Sequence, residues 1–177
     1  MTGQLFLVVG PSGAGKDTLL AGAVAADPRL HWARRVITRA QVAGGEPFEG
    51  VSAPAFQARL QAGEFALHWQ AHGLSYGVDA AELAPLAQGR NVLINGSRAA
   101  LAGALAAYPG LRVIQISAPP EVLADRLALR GRENRAEIAD RLKRASYALP
   151  EGLPAIEISN DATPEKGIAK LLYALRG

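Results

Sequence analysis

The chain has 177 residues, 49% hydrophobic and 20% charged, with a formal net charge of +3 and no cysteine. That length fits one domain, and the balance leaves enough apolar side chain for a buried sheet. The cysteine count excludes disulfides, thiolate metal sites and cysteine nucleophiles, and the small net charge makes no case for a nucleic-acid partner.

Leu5 to Val9 is a continuous apolar run ended by Gly10, the pattern of a strand buried on both faces. It is too short to cross a bilayer, and it has neither a basic flank nor a small-residue cleavage site. A soluble cytoplasmic protein with no membrane partner is therefore expected. Asp17 to Ala26 predicts a helix, and Trp32 to Ile37 a second strand interrupted by Arg34 and Arg35. Thr38 to Ser52, with Gly44, Gly45, Pro47 and Gly50, reads as a loop. A helix follows over Ala53 to Ala62. Phe65 to Gln70 and Ser75 to Val78 flank a turn at His72-Gly73 and read as paired short strands, and Asp79 to Ala87 as helix.

Asn91 to Asn95 is another apolar strand, followed by a helix over Ser97 to Ala107 and a strand over Leu111 to Ser117. Pro119-Pro120 opens a helix to Leu129 or Arg130; Gly131 to Asn134 breaks it, and Ala136 to Ala148 resumes it. Ala155 to Ile158 is the last strand and Thr163 to Leu175 the last helix, with Pro164 suited to its first turn. Strands alternating with helices argue for an α/β fold, a parallel sheet with helices on both faces.

Gly10-Pro11-Ser12-Gly13-Ala14-Gly15-Lys16, between the first strand and first helix, has the spacing of a Walker A P-loop. Glycines let backbone N–H groups turn inward around a phosphate, and the following helix N-terminus adds positive charge. Lys16 would reach the outer phosphates. The expected ATP contacts run from Gly10 to Thr18. The residue after the lysine, usually Ser or Thr, is Asp17. A carboxylate beside a triphosphate is repelled unless a cation lies between, so Asp17 is the expected Mg²⁺ ligand, directly or through water. The alternative is an acidic residue favoured by the helix dipole.

Fifteen of the nineteen basic residues are Arg, six of them between positions 126 and 144: Arg126, Arg130, Arg132, Arg135, Arg141 and Arg144. A Gly-hinged, Arg-rich segment late in a P-loop domain suits a lid that neutralises the transferred phosphoryl group and excludes water. Arg130, Arg132 and Arg141 are its catalytic candidates. The alternative is a solvated helix face with Glu137–Arg141 and Asp140–Arg144 pairs.

The P-loop, Thr38-Arg39, His72-Gly73-Leu74-Ser75-Tyr76-Gly77 and the Arg126 to Arg144 segment resemble the guanylate kinase group over nearly the whole chain. The resemblance implies a five-stranded sheet of order 2-3-1-4-5. It also implies an acceptor-binding insertion at about 38–87, a lid at about 130–148, and a core of about 1–37, 88–129 and 149–177. The acceptor region departs from that group. Val42 and Ala43 stand where a second Arg is expected, Val51-Ser52-Ala53 replaces a Tyr-containing stretch, and Leu93-Ile94-Asn95 replaces an acidic pair. Glu46 survives, displaced by about one residue. GMP is disfavoured as acceptor, because a guanine site needs polar groups to pair the base.

Lys16-Asp17, Ile37-Thr38-Arg39, Trp69-Gln70-Ala71-His72-Gly73-Leu74, Asn95-Gly96-Ser97-Arg98 and Arg130-Gly131-Arg132-Glu133-Asn134 are similar to the ribose 1,5-bisphosphate phosphokinases. That family moves the ATP γ-phosphoryl group onto the 1-phosphate of ribose 1,5-bisphosphate in phosphonate breakdown. Such an acceptor is already anionic and needs no general base, so catalysis reduces to aligning two phosphates and damping their charge. On this resemblance Arg39 is the acceptor-phosphate ligand, with Tyr76 donating beside it; a surface Arg and a core-edge Tyr are the alternatives. His72 lines the acceptor site or is structural, like His31 and His68. Asn95, Ser97 and Arg98 end a strand at its carboxyl edge, where ligands collect in open α/β sheets. Asn160-Asp161 would contact adenine or cap the last helix. Guanylate kinase, another small-molecule kinase and a non-catalytic guanylate-kinase-like binding module remain the rival readings. The oligomeric state is open, a homodimer among the options.

Overall fold

The computed structural model describes residues 2–41, 45–131, 137, 138, 142 and 147–177. In chain order its elements begin with β1 (Leu5–Val9), α1 (Lys16–Ala26), β2 (Leu30–Trp32), β3 (Arg35–Ile37), β4 (Phe48–Gly50) and α2 (Ala53–Gln61). Then come β5 (Phe65–Ala71), β6 (Leu74–Asp79), a 3₁₀ segment (Ala80–Gln88), β7 (Asn91–Asn95) and α3 (Arg98–Ala107). The last are β8 (Arg112–Ser117), α4 (Pro120–Leu129), β9 (Ala155–Ser159) and α5 (Pro164–Ala174).

β1 is buried along its whole length. Alternate side chains leave opposite faces of a strand, so Leu5, Leu7 and Val9 enter one core cluster while Phe6 and Val8 enter another. The second face is covered by α1, α4 and α5 through Leu19, Leu20, Ala23, Leu123 and Leu171. The first is covered by α3, through Ala100, Leu101 and Ala104, and by a second sheet. β1 lies between β7 and β8, parallel to both, with β2 outside β7 and β9 outside β8. The resulting order, β2-β7-β1-β8-β9, is 2-3-1-4-5 when these five strands are numbered among themselves. No described helix is long and apolar enough to cross a membrane.

The second sheet has the order β4-β3-β6-β5. β5 and β6 form the expected hairpin about His72 (φ 53°) and Gly73 (φ 73°), successive left-handed residues of the kind a tight hairpin requires. Phe65 lies over Gly77, where any Cβ would fall 2.6 Å from the ring. Arg59 of α2 ties the unit together, donating to Glu49, Glu64 and Asp79.

Three sequence expectations need correction. Trp32 to Ile37 is not one strand: β2 stays in the main sheet and β3 crosses to the second. The break falls where Glu82 removes the backbone from the ladder, accepting from Arg34 N at 2.9 Å while also pairing with His31 at 2.7 Å. The loop over Thr38 to Ser52 contains β4, paired in parallel with β3 and anchored by buried Phe48. The helix at Asp79 to Ala87 is a 3₁₀ segment, with Pro85 inside it unable to donate an α-helical hydrogen bond. The second sheet begins at Arg35, three residues before the expected insertion. Of the helix over Ala136 to Ala148, only positions 137, 138, 142, 147 and 148 are described.

Candidate active site

β1 stops at Gly10, which passes so close to β8 that a Cβ there would lie 2.2 Å from the Ile116 carbonyl oxygen. Gly13 (φ 85°) and Gly15 (φ 89°) take left-handed turns that L side chains rarely adopt. Gly15 is also the N-cap of α1. The loop thus brings its amides and the first turn of α1 to the carboxyl end of the sheet, the arrangement that binds phosphate. Lys16 follows at once, its Nζ donating to the Gly10 carbonyl at 2.8 Å and the Pro11 carbonyl at 3.3 Å. Burial pulls its ammonium down to about 8; Asp17 and Glu46 oppose the shift, and Arg35 and Arg130 add to it.

A cavity of about 230 Å³ opens beside the loop. Lys16, Asp17, Arg35, His72, Tyr76, Asn95 and Arg130 all line it, together with loop glycines and Thr18. Asn95 is 3% exposed. Its Nδ2 donates to Asp17 Oδ1 at 2.8 Å and to Glu46 Oε2 at 3.0 Å. Its Oδ1 is buried without a partner among the described residues. Glu46 in turn accepts from Arg35, Nε to Oε1 at 2.7 Å and Nη2 to Oε2. Burial pushes the Glu46 carboxyl up, against the pull of Arg35. Tyr76 stacks on Trp69, centroids 5.4 Å apart, and lies under the Arg35 guanidinium at 5.1 Å.

On the other side of the loop a cavity of about 250 Å³ shares Gly13, Gly15, Thr18 and Arg130 and adds Arg126, Asn160 and Pro164. Arg126 clamps the loop from behind, donating to the Gly13, Ala14 and Asn160 carbonyls at 3.3, 3.2 and 2.8 Å. Asn160 is buried, its Nδ2 donating to the Ala14 carbonyl at 2.8 Å. It does not cap the last helix. Thr163 does, accepting from Lys166 N, with Pro164 in the first turn.

Among the expected site residues, Lys16, Asp17, His72, Tyr76, Asn95 and Arg130 meet in the first cavity, and Asn160 lies at the second. Arg39 does not line either one: its guanidinium sits over the Phe48 ring at 4.5 Å. Its neighbour Thr38 clips β3 to β6, Oγ1 accepting from Ser75 N at 2.9 Å. Arg98 stacks on Tyr147 at 4.2 Å, and Ser97 Oγ is buried without a partner among the described residues. Arg132 and Arg141 lie outside the described residues. From sequence alone Arg35 is only an interruption of a strand. Its signal was a charge beside the apolar Val36-Ile37, which burial tolerates only with a partner such as Glu46.

A P-loop on a 2-3-1-4-5 sheet, facing a second sheet across a cationic cavity, defines a phosphotransferase fold of the guanylate-kinase-like class. Guanylate kinase from Anaplasma phagocytophilum shares that fold, with a TM-score of 0.72 at 20% identity over 99% of this chain and 85% of that one. Ribose 1,5-bisphosphate phosphokinase PhnN from Ruegeria sp. is 52% identical over 170 residues, 95% of this chain and 89% of that protein. The chain belongs to the ribose 1,5-bisphosphate phosphokinase PhnN family. The bifunctional ribose 1,5-bisphosphokinase-thymidine phosphorylase of Azorhizobium caulinodans is 49% identical over 98% of this chain, which spans only 26% of that longer protein. No protein-family model matches the chain.

Proposed function

We propose that the protein transfers the γ-phosphoryl group of ATP to the 1-phosphate of ribose 1,5-bisphosphate, giving 5-phosphoribosyl 1-diphosphate and ADP, as a cytoplasmic step of phosphonate breakdown. The observation that carries this reading is one cavity holding both the P-loop Lys16 and a second cationic wall formed by Arg35 and Arg130. ATP would put its phosphates on the Gly10 to Thr18 loop and its nucleoside in the cavity flanked by Arg126 and Asn160. The acceptor would occupy the cavity between Lys16 and Tyr76. Its nucleophile is a phosphate oxygen, so the side chains need only align two anions and damp their repulsion. Lys16, Arg35 and Arg130 supply positive charge there, and Arg132 and Arg141 are the further lid cations.

Mg²⁺ fits the donors present. Asp17 is an exposed hard-oxygen ligand at the start of α1, with one carboxylate oxygen fixed by Asn95. No group of three His, Cys, Asp or Glu side chains is gathered for a metal among the described residues. That suits an ion that keeps waters and shares phosphate oxygens. Bound there, Mg²⁺ would neutralise charge on the ATP phosphates.

Incubation with ATP, Mg²⁺ and ribose 1,5-bisphosphate, with GMP in parallel, tests the reading by phosphorus NMR. A new sugar diphosphate and stoichiometric ADP are expected. ADP formation with GMP alone would overturn it.

A further inference from the structure

The wall of the acceptor cavity contains an ion pair that stability does not explain. The Arg35 and Glu46 side chains are 12% and 5% exposed. Burying two charges removes both from water, and a well-packed apolar pair would serve folding as well. What the pair provides is orientation. Glu46 takes Nε with one oxygen and Nη2 with the other, fixing the guanidinium plane. Nη1 is left without a partner among the described residues, on a side chain that lines the cavity with Lys16. Tyr76 supports the same guanidinium from its ring face.

The pairing also removes a chemistry. A carboxylate that is to read a purine's N–H donors must have a free oxygen facing them. Both oxygens of Glu46 already accept from Arg35, and Oε2 accepts from Asn95 as well, which leaves about one lone pair, on Oε1, for the N–H donors of a base. Among the described residues that line the cavity the one carboxylate is Asp17, and it lies at the P-loop. Arg39, the cation the Thr-Arg motif suggests, rests on Phe48.

We propose that Arg35, oriented by Glu46, is the specificity-determining cation of the acceptor site: it takes a phosphate oxygen of a phosphorylated sugar, and by engaging Glu46 it occupies the carboxylate that a nucleobase-bearing acceptor would need. This rests on the phosphokinase reading above. Steady-state kinetics of Arg35→Met, Arg35→Lys and Glu46→Gln, with the exposed neighbour Arg34→Met as control, test it with ribose 1,5-bisphosphate, ribose 5-phosphate and GMP as acceptors. Losing one charge-assisted contact raises the acceptor KM on the order of 10- to 100-fold. Arg35→Met is expected to show that rise with the ATP KM changed less than about twofold, on the same scale. Arg35→Lys recovers part of the loss, because it keeps the charge without the fork. Glu46→Gln shows a smaller rise of the same kind, and Arg34→Met shows none. Far-ultraviolet circular dichroism confirms each variant folded, and the two conservative changes carry the test if Arg35→Met does not fold.

An Arg35→Met acceptor KM within about twofold of wild type, or an equal rise in both KM values, overturns the inference and leaves the phosphokinase reading standing. Arg35-dependent turnover of ribose 5-phosphate, with none of ribose 1,5-bisphosphate, overturns the reading and leaves the inference standing. Preferential turnover of GMP by wild type overturns both.

Discussion

In the free protein the Lys16 ammonium donates to two carbonyls of its own loop. Burial holds its pKa near 8, below the 10.5 of an exposed lysine. The charged form is therefore disfavoured by folding, and the contribution of Lys16 to the stability of the free protein rises as pH climbs from about 8 towards 10.5. A bound triphosphate reverses the balance, since an opposite charge at contact distance favours the ammonium. ATP binding at about pH 8.5 should accordingly take up as much as about three-quarters of a proton. Titration calorimetry in buffers of different ionisation enthalpy measures this directly. Lys16→Met should bind without uptake and turn over roughly 100-fold or more slowly. Equal proton uptake in the variant would show that another group titrates.

At the scale of elements, the loop is held by what lies behind it. Asn160 wedges between the P-loop and α5, leaving no room for a Cβ at Gly167, which would sit 2.5 Å from Asn160 Oδ1 and 2.7 Å from Leu19 Cδ2. An alanine in a helix gains up to about 1 kcal/mol in propensity over glycine, but overpacking costs about 1–3 kcal/mol. Gly167→Ala should lose about 1–2 kcal/mol net by denaturant unfolding, and weaken ATP binding as Asn160 is pushed off the Ala14 carbonyl. For Gly22→Ala on α1 the nearest atoms to the new Cβ all belong to the Ile168 side chain, its terminal Cδ1 first. It should cost less and leave ATP affinity unchanged; equal losses of affinity would show that Asn160 does not transmit the effect. The elements that could be read from sequence alone are those whose physics is local. β1 and β7 are apolar on both faces, the Gly-Lys loop needs its glycines for conformation, and Pro164 marks a helix start. What was not legible depends on distant partners. Glu82 splits the second strand from 48 residues away, and Arg35 acquires its role only when Glu46 folds beside it. The side-chain platform that takes Arg39 is Phe48, inside a stretch whose glycines read as loop.

At the scale of the whole molecule, the cavity is a seam between two sheets. Asn95 stands at the carboxyl end of β7 in the main sheet, and its single amide nitrogen holds Asp17 of α1 and Glu46 from the approach to β4. On the proposed function, the ATP side and the acceptor side would meet through this one buried side chain. A ligand that fixes the second sheet against the main sheet bears the ordering cost once, so the next ligand binds with less to order. A non-hydrolysable ATP analogue should tighten ribose 1,5-bisphosphate binding, and the acceptor should tighten the analogue by the same factor, of order 5- to 150-fold. Asn95→Ala removes the shared donor and leaves Asp17 and Glu46 to repel one another across the seam. Its coupling factor should fall towards one while ATP-analogue affinity measured alone changes far less. Calorimetric titration of each ligand with and without the other gives all four constants. An Asn95→Ala protein with the wild-type coupling factor would show that the two halves communicate by another route, the P-loop cations themselves being the next candidates.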